Sequence, residues 1–173
     1  TSNPDELFND PDIDLIMICT RHNLHGDLVI RGLNAGKNIF VEKPLCTKVD
    51  ELEMIRKFFI NSKEPPLLMV GFNRRFSPIS NEIKKLIKQR NNPLIINYQM
   101  NAGYLPIDHW VYSEEGGGRI IGEACHIIDL FSYFIGSSAT EINTSVLGEK
   151  RDIFGNEDIC ISIKYDDGSL GIL

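Results

Sequence analysis

Glu42-Lys43-Pro44 directly follows the apolar run Ile39-Phe40-Val41, so a charged pair is delivered where a short strand stops. In an open α/β sheet, ligands sit in the crevice beyond the carboxyl ends of the strands. A lysine there offers a compact charge that can hydrogen-bond a hydroxyl, and its pKa falls readily on burial, which suits proton handling. The plainer alternative is a strand end with a solvated lysine. The loop Thr20-Arg21-His22-Asn23-Leu24-His25 leaves the preceding strand just before a helix amino terminus, a position that favours an anionic or polar ligand. Within it, His25 suits capping or packing as well as ligand contact. A third group lies in Gly116-Gly117-Gly118-Arg119-Ile120-Ile121-Gly122-Glu123-Ala124-Cys125-His126-Ile127-Ile128-Asp129. On a helix, Glu123, His126 and Asp129 are three apart and share a face. A carboxylate beside an imidazole holds its tautomer and raises its basicity, as a general base requires. A buried structural histidine is the competing reading. Glu-x-x-His is also half of a di-iron motif, but the partner set is missing and no metal is expected.

The elements that must position these residues alternate at first. Asn3-Pro4 reads as an N-cap and first helical position of a short helix through Phe8. Ile13 to Cys19 reads as a parallel strand buried on both faces. A helix carrying Leu24, Leu28, Ile30 and Leu33 follows, closed by Gly36, and the strand to Val41 completes a strand-helix-strand unit. Thr47 is a plausible N-cap for a helix that buries Leu52, Ile55, Phe58 and Phe59, and Leu67 to Phe72 is a third strand. Ser77-Pro78 opens another helix with Ile79, Ile83, Leu86 and Ile87 as core positions. From Leu94 the pattern changes to a strand, a long loop over 102–118, a helix over 119–135 closed by Gly136, and three strands over 140–148, 158–165 and from 169 on. Asp166-Asp167-Gly168 is the hairpin signal between the last two. The expected fold class is therefore α/β plus α+β: a parallel sheet in residues 1–76, then an α+β domain with a mostly antiparallel open sheet in residues 77–173.

A chain of 173 residues with net charge −6 is poorly suited to nucleic acid or an anionic membrane surface, and none is expected as a partner. Cys19, Cys46, Cys125 and Cys160 are widely spaced, which suits buried free thiols in a reducing compartment better than disulfides or zinc. No apolar run approaches the ~20 residues of a membrane helix, and the expected location is the cytoplasm. Both ends read as cut, the first at a helix start and the last inside a strand, so a fragment of a longer protein is expected.

The ordered series from Asp12-Ile13-Asp14 through Cys19-Thr20, Asn23 and His25, then Ala35-Gly36-Lys37-Asn38 into Glu42-Lys43-Pro44-Leu45, resembles the Gfo/Idh/MocA oxidoreductase family, which includes glucose-fructose oxidoreductase and inositol dehydrogenase. The resemblance continues through Gly71-Phe72-Asn73-Arg74-Arg75-Phe76-Ser77-Pro78 and the Gly-Gly-Gly to His-x-x-Asp segment. It implies the carboxyl-terminal part of a Rossmann domain for NAD or NADP, joined to a domain that binds a sugar-like substrate and supports a homo-oligomer through its open sheet. Lys43 is implied to sit beside nicotinamide and substrate hydroxyl, and His126 to act on the hydroxyl proton, with both side chains facing one cleft. The cofactor side would comprise Thr20, Arg21, His22, His25, Glu42, Lys43 and Pro44. Substrate contacts are expected from Asn73, Arg74, Arg75, Tyr104, His109, Trp110 and Asp129, with Trp110 either stacking on a sugar face or anchoring its loop. The implied reaction is reversible hydride transfer between nicotinamide and a hydroxyl carbon of a sugar, nucleotide-sugar or cyclitol.

Two residues depart from the family pattern. Gly122 stands where many members have aspartate four residues before the histidine; Glu123 is the substitute at hand, turned by about 100° on a helix. Arg21 stands where proline is common and suits a phosphate or carboxylate, so an anionic substrate is compatible. No G-x-G-x-x-G follows a strand, from which the parent protein is expected to bind the dinucleotide and these residues alone to bind it weakly or not at all. A non-catalytic ligand-sensing or assembly domain that kept the fold is the rival reading, and a phosphosugar-binding module a third.

Overall fold

The computed structural model describes residues 3–148 and 157–173. The chain forms two compact units: one holds the chain up to Gly71 plus Ser113–Gly117, the other Phe72–Tyr112 and the chain from Gly118 on. Among the described residues no helix is long and apolar enough to cross a membrane.

The first unit is a three-stranded parallel sheet in the order β1 (Leu15–Ile18), β2 (Asn38–Val41), β3 (Leu68–Val70). Helix α1 (Pro4–Asn9) precedes it, capped by the Asn3 side chain on the amide of Asp5. Helices α2 (His25–Asn34) and α3 (Val49–Asn61) make the crossovers that parallel strands require. The core joins Ile16, Ile18, Ile39 and Val41 of the sheet to Val29 and Leu33 of α2 and Ile55 of α3. Gly32 lets α2 approach β2 closely, since a Cβ there would lie 2.4 Å from Ile39 Cδ1. Gly36, at φ 73°, ends α2 in the left-handed conformation that turns the Lys37 amide back onto the Gly32 carbonyl at 3.0 Å.

Several sequence expectations change here. Strand β1 is buried on one face only: Ile16 and Ile18 point into the core while Leu15 and Met17 are exposed. A continuous apolar run does not distinguish one covered face from two. Cys19 and Cys160 are exposed rather than buried, although all four cysteines are free. Lys48, not Thr47, occupies the N-cap of α3, with no side-chain cap, and Leu52 is exposed.

The second unit is a four-stranded sheet in the order β4 (Ile95–Asn97), β7 (Leu170–Ile172), β6 (Ile159–Tyr165), β5 (Ala139–Val146). Only the β4–β7 pair is parallel. Strand β6 alternates cleanly: Ile161, Ile163 and Tyr165 pack on Ile127, Leu130, Phe131 and Ile135 of α5 (Cys125–Ile135), and Cys160 and Lys164 point away. Gly171 admits Phe131, whose ring would stand 2.5 Å from an added Cβ. Gly168 makes the β6–β7 turn at φ 83°. Helix α4 (Pro78–Ile87) starts as expected, with the Ser77 hydroxyl accepting the Ser80 amide. Its apolar residues are not core, however: Ile79, Ile83 and Leu86 are exposed, and only Ser80 is buried. The helix expected over 119–135 begins instead with a π-helical turn, Ile120–Ala124, before α5.

Candidate active site

In the first unit the strands end in register. The Glu42 amide donates to the Ile18 carbonyl at 2.9 Å and the Gly71 amide to the Val41 carbonyl at 2.7 Å, so Thr20, Glu42-Lys43 and Gly71 emerge along one edge of the sheet. Gly71 is needed there, because a Cβ would come within 3.2 Å of both the Glu42 carboxylate and the Phe40 ring. The Lys43–Pro44 peptide bond is cis. Lys43 is half-buried and Arg21 exposed.

His25 meets the backbone next to Lys43, and His22, on the preceding turn, meets the 113–117 segment. His25 is fully buried at the start of α2, with Nδ1 2.7 Å from the Pro44 carbonyl and Nε2 3.2 Å from the Thr20 carbonyl. His22, on the 3-10 turn His22–Leu24, places Nδ1 2.9 Å from the Gly116 carbonyl. Beside it the Asn23 amide donates to the Glu115 carbonyl at 3.1 Å. Burial lowers the His22 pKa below its ordinary value; the Gly116 hydrogen bond opposes that shift, and the nearby charges of Lys43, His25 and Arg21 add to it. Burial, reinforced by the charge of Glu51, pushes the Cys46 thiol up to about 11, so it is a packing residue and not a nucleophile at neutral pH.

In the second unit, His126 is half-buried near the start of α5, with the Phe72 ring edge-on to it at 6.4 Å between centroids. One turn later Asp129 takes a bidentate grip from Arg75: Nε donates to Oδ2 at 2.9 Å and Nη2 to Oδ1. The Arg75 guanidinium also lies over the Tyr133 ring at 5.5 Å. Glu123 sits in the π-helical turn and accepts from Arg119 Nε at 3.3 Å. Arg119 is itself buried, and its Nη1 donates to the Gly103 carbonyl at 2.7 Å and to Glu157 at 3.1 Å. Burial, with Asp158 adding to it, pushes the Glu157 carboxyl up even beside that guanidinium.

The residues expected at the site thus fall into two groups. Thr20, His22, His25, Glu42, Lys43 and Pro44 are brought together at the edge of the first sheet. Arg75, on the turn Asn73–Phe76, and Asp129, on the helix that carries His126, are paired in the second unit. Arg74 donates to the Tyr98 hydroxyl at 3.3 Å, and Asn73 is exposed. On the long loop, Tyr104 is 88% exposed, His109 Nδ1 accepts from the Val111 amide at 3.3 Å, and Trp110 is half-buried against the His109 ring. No local pattern signals that the 113–117 segment joins the first unit, or that Tyr98 anchors Arg74. Both depend on partners far away in the chain.

At the end of β1 and β2, Thr20, Arg21, His22 and Lys43 offer hydroxyl, guanidinium, imidazole and ammonium groups, and these are the residues that could hold the nicotinamide and ribose side of a dinucleotide. The glycine-rich cradle that a diphosphate requires is not among these residues.

Residues 1–72 match the GFO_IDH_MocA model, described as an oxidoreductase family with an NAD-binding Rossmann fold. The chain is 30% identical over 183 residues to scyllo-inositol 2-dehydrogenase (NAD(+)) of Bacillus subtilis, covering 99% of this chain and 51% of that protein. It is 26% identical over 177 residues to myo-inositol 2-dehydrogenase of Thermotoga maritima, covering 98% and 52%. Among solved structures, levoglucosan dehydrogenase in complex with NADH and levoglucosan superposes with a TM-score of 0.82 at 25% identity, over 99% of this chain and 50% of that one. The chain spans about half the length of the relatives it matches.

Proposed function

This chain belongs to the Gfo/Idh/MocA oxidoreductase family, and from that premise we propose that the protein it represents oxidises a secondary hydroxyl of a sugar or cyclitol with a nicotinamide dinucleotide, NAD(H) by the family's description. The observation that carries the reading is Lys43: a half-buried ammonium at the carboxyl end of a parallel strand, on the edge where Thr20 and His22 also converge.

Bound nicotinamide supplies the hydride acceptor, and the protein handles the proton. The Lys43 ammonium hydrogen-bonds the substrate oxygen and stabilises the negative charge that grows on it as the C–H bond breaks. His126 takes the hydroxyl proton on a ring nitrogen, leaving a carbonyl carbon. Asp129 serves this step through Arg75, which fixes the turn Asn73–Phe76 against α5. Glu123 serves it through Arg119, which holds the π-helical turn leading to His126. Thr20 and Arg21 are assigned to the cofactor side, and an anionic substituent on the substrate would find Arg21 exposed there. We include a homo-oligomer formed through the open face of the second sheet, where Ile95 is 77% exposed.

The test uses the full-length protein with NAD+ and a panel of cyclitols, aldoses, anhydrosugars and uronates, following reduced cofactor. Lys43→Ala and His126→Ala are each expected to lower kcat/KM by about 10²- to 10⁴-fold. Turnover unchanged in both would overturn the assignment and leave a binding domain.

A further inference from the structure

His25 does more than fill the core at the start of α2. We propose that it is the positioning residue for Lys43, a strap that continues the β1–β2 pairing past the point where backbone hydrogen bonds end; the inference rests on the oxidoreductase reading above. The last rung between these strands is the Glu42 amide on the Ile18 carbonyl. Beyond it the two chains are joined through the imidazole, whose Nδ1 meets the Pro44 carbonyl and whose Nε2 meets the Thr20 carbonyl. Lys43 is therefore held on both sides: Glu42 by the final rung, Pro44 by the ring. Proline has no amide to offer, so its carbonyl is the one backbone hydrogen-bonding group by which Pro44 itself can be tied down.

The ring cannot serve a ligand directly, because it is 0% exposed. Both of its partners are acceptors, so the imidazole acts as the donor toward them. The shorter contact, 2.7 Å against 3.2 Å, makes the Pro44 carbonyl the firmer partner, met by Nδ1. The ring's own anchor is rigid, because α2 packs at Gly26 directly against Glu51, where an added Cβ would lie 2.3 Å from the carboxylate oxygen. Fixing the backbone on either side of Lys43 in this way sets the point from which its side chain reaches, which is what an aligned ammonium needs.

The test compares wild-type, His25→Ala and His25→Gln full-length protein. His25→Ala is expected to lower kcat about 100-fold while the KM for the polyol changes little, because misplacement of a reacting group acts on the transition state. The pH profile of kcat should shift along with it, and His25→Gln, which retains one donor, should recover part of the loss. A fall in melting temperature with kcat per folded molecule and its pH profile unchanged would overturn the strap. A measurement that needs neither activity nor a folded alanine variant is nitrogen-15 NMR of the wild-type imidazoles. A slowly exchanging proton on His25 Nδ1 is expected, with faster amide exchange at Leu45 and Cys46 in His25→Gln and an unchanged β1–β2 ladder. An Nδ1 without a proton overturns the proposal. If wild-type protein turns over no polyol yet shows that proton, the assigned reaction fails and the strap stands.

Discussion

Around Lys43 the chain is held by backbone carbonyls meeting a buried imidazole, whereas around His126 it is held by guanidinium groups meeting carboxylates. The first arrangement is nearly independent of salt, since its partners carry partial charges at hydrogen-bond range. The second depends on full charges, each expensive to bury and each stranded if its partner is lost. Two supports of different chemistry therefore surround the two groups assigned to proton handling, and perturbations can address one without the other.

The largest effect is expected at Arg119. Its side chain is 7% exposed and serves Glu123, Glu157 and the Gly103 carbonyl together. Arg119→Met leaves two carboxylates facing an apolar group and is expected to destabilise the second unit by about 3 kcal/mol, the low end for breaking a buried pair because both glutamates are partly exposed. Urea unfolding followed by hydrogen exchange, unit by unit, measures this. The β1–β2–β3 sheet should keep its protection, and a loss shared equally by both units would erase the contrast between them.

Much of the first unit was legible because its signals are local. Gly36 after a helical pattern, Asn3-Pro4 before one, and an apolar run ending in Glu42-Lys43 each report a backbone state fixed by neighbours in sequence. The second unit was legible as strands and a hairpin for the same reason. What could not be read was set by distant partners. The π-helical turn is spanned by the Arg119–Glu123 contact, and the other partners of Arg119, Gly103 and Glu157, are far along the chain. Periodicity reports that α4 has an apolar face but is silent on what lies against it, so Ile79 and Leu86 read as core and are exposed. His25 could be read as a capping or packing residue; that both its nitrogens meet carbonyls from two different strand ends needed the fold.

A smaller effect sharpens the comparison from the other side. In the first unit, packing replaces charge, and Gly32 is its tightest point: the methyl of Gly32→Ala would stand 2.4 Å from Ile39 Cδ1 and 3.4 Å from the Phe8 ring. The cost expected is about 2 kcal/mol, typical of an extra methyl in a filled core. Because the obstructing atom is the end of a side chain, Gly32→Ala combined with Ile39→Val, which deletes Cδ1, should recover most of it. Thermal unfolding of the single and double variants decides this. No recovery in the double variant would mean that the α2 backbone, not Ile39, sets the spacing.

The smallest effect separates the two supports by pH. His22 is neutral more readily in the folded protein than in the unfolded chain, because burial lowers its pKa from 6.5 and the charges of Lys43, His25 and Arg21 add to that. The unfolded chain therefore binds the extra proton first as pH falls. Stability from this group is complete above 6.5 and is lost as pH drops through 6.5 toward the lower folded value. Urea midpoints of the first unit should fall between about pH 7.5 and about pH 5, and His22→Gln should flatten the slope. Sodium chloride should leave the slope largely in place, because burial is its first cause and is not screened. The same salt should weaken the partly exposed Arg75–Asp129 grip in the second unit. A slope that vanishes in salt would show that the charges around His22, Lys43 foremost, outweigh burial, and the first support would then be as electrostatic as the second.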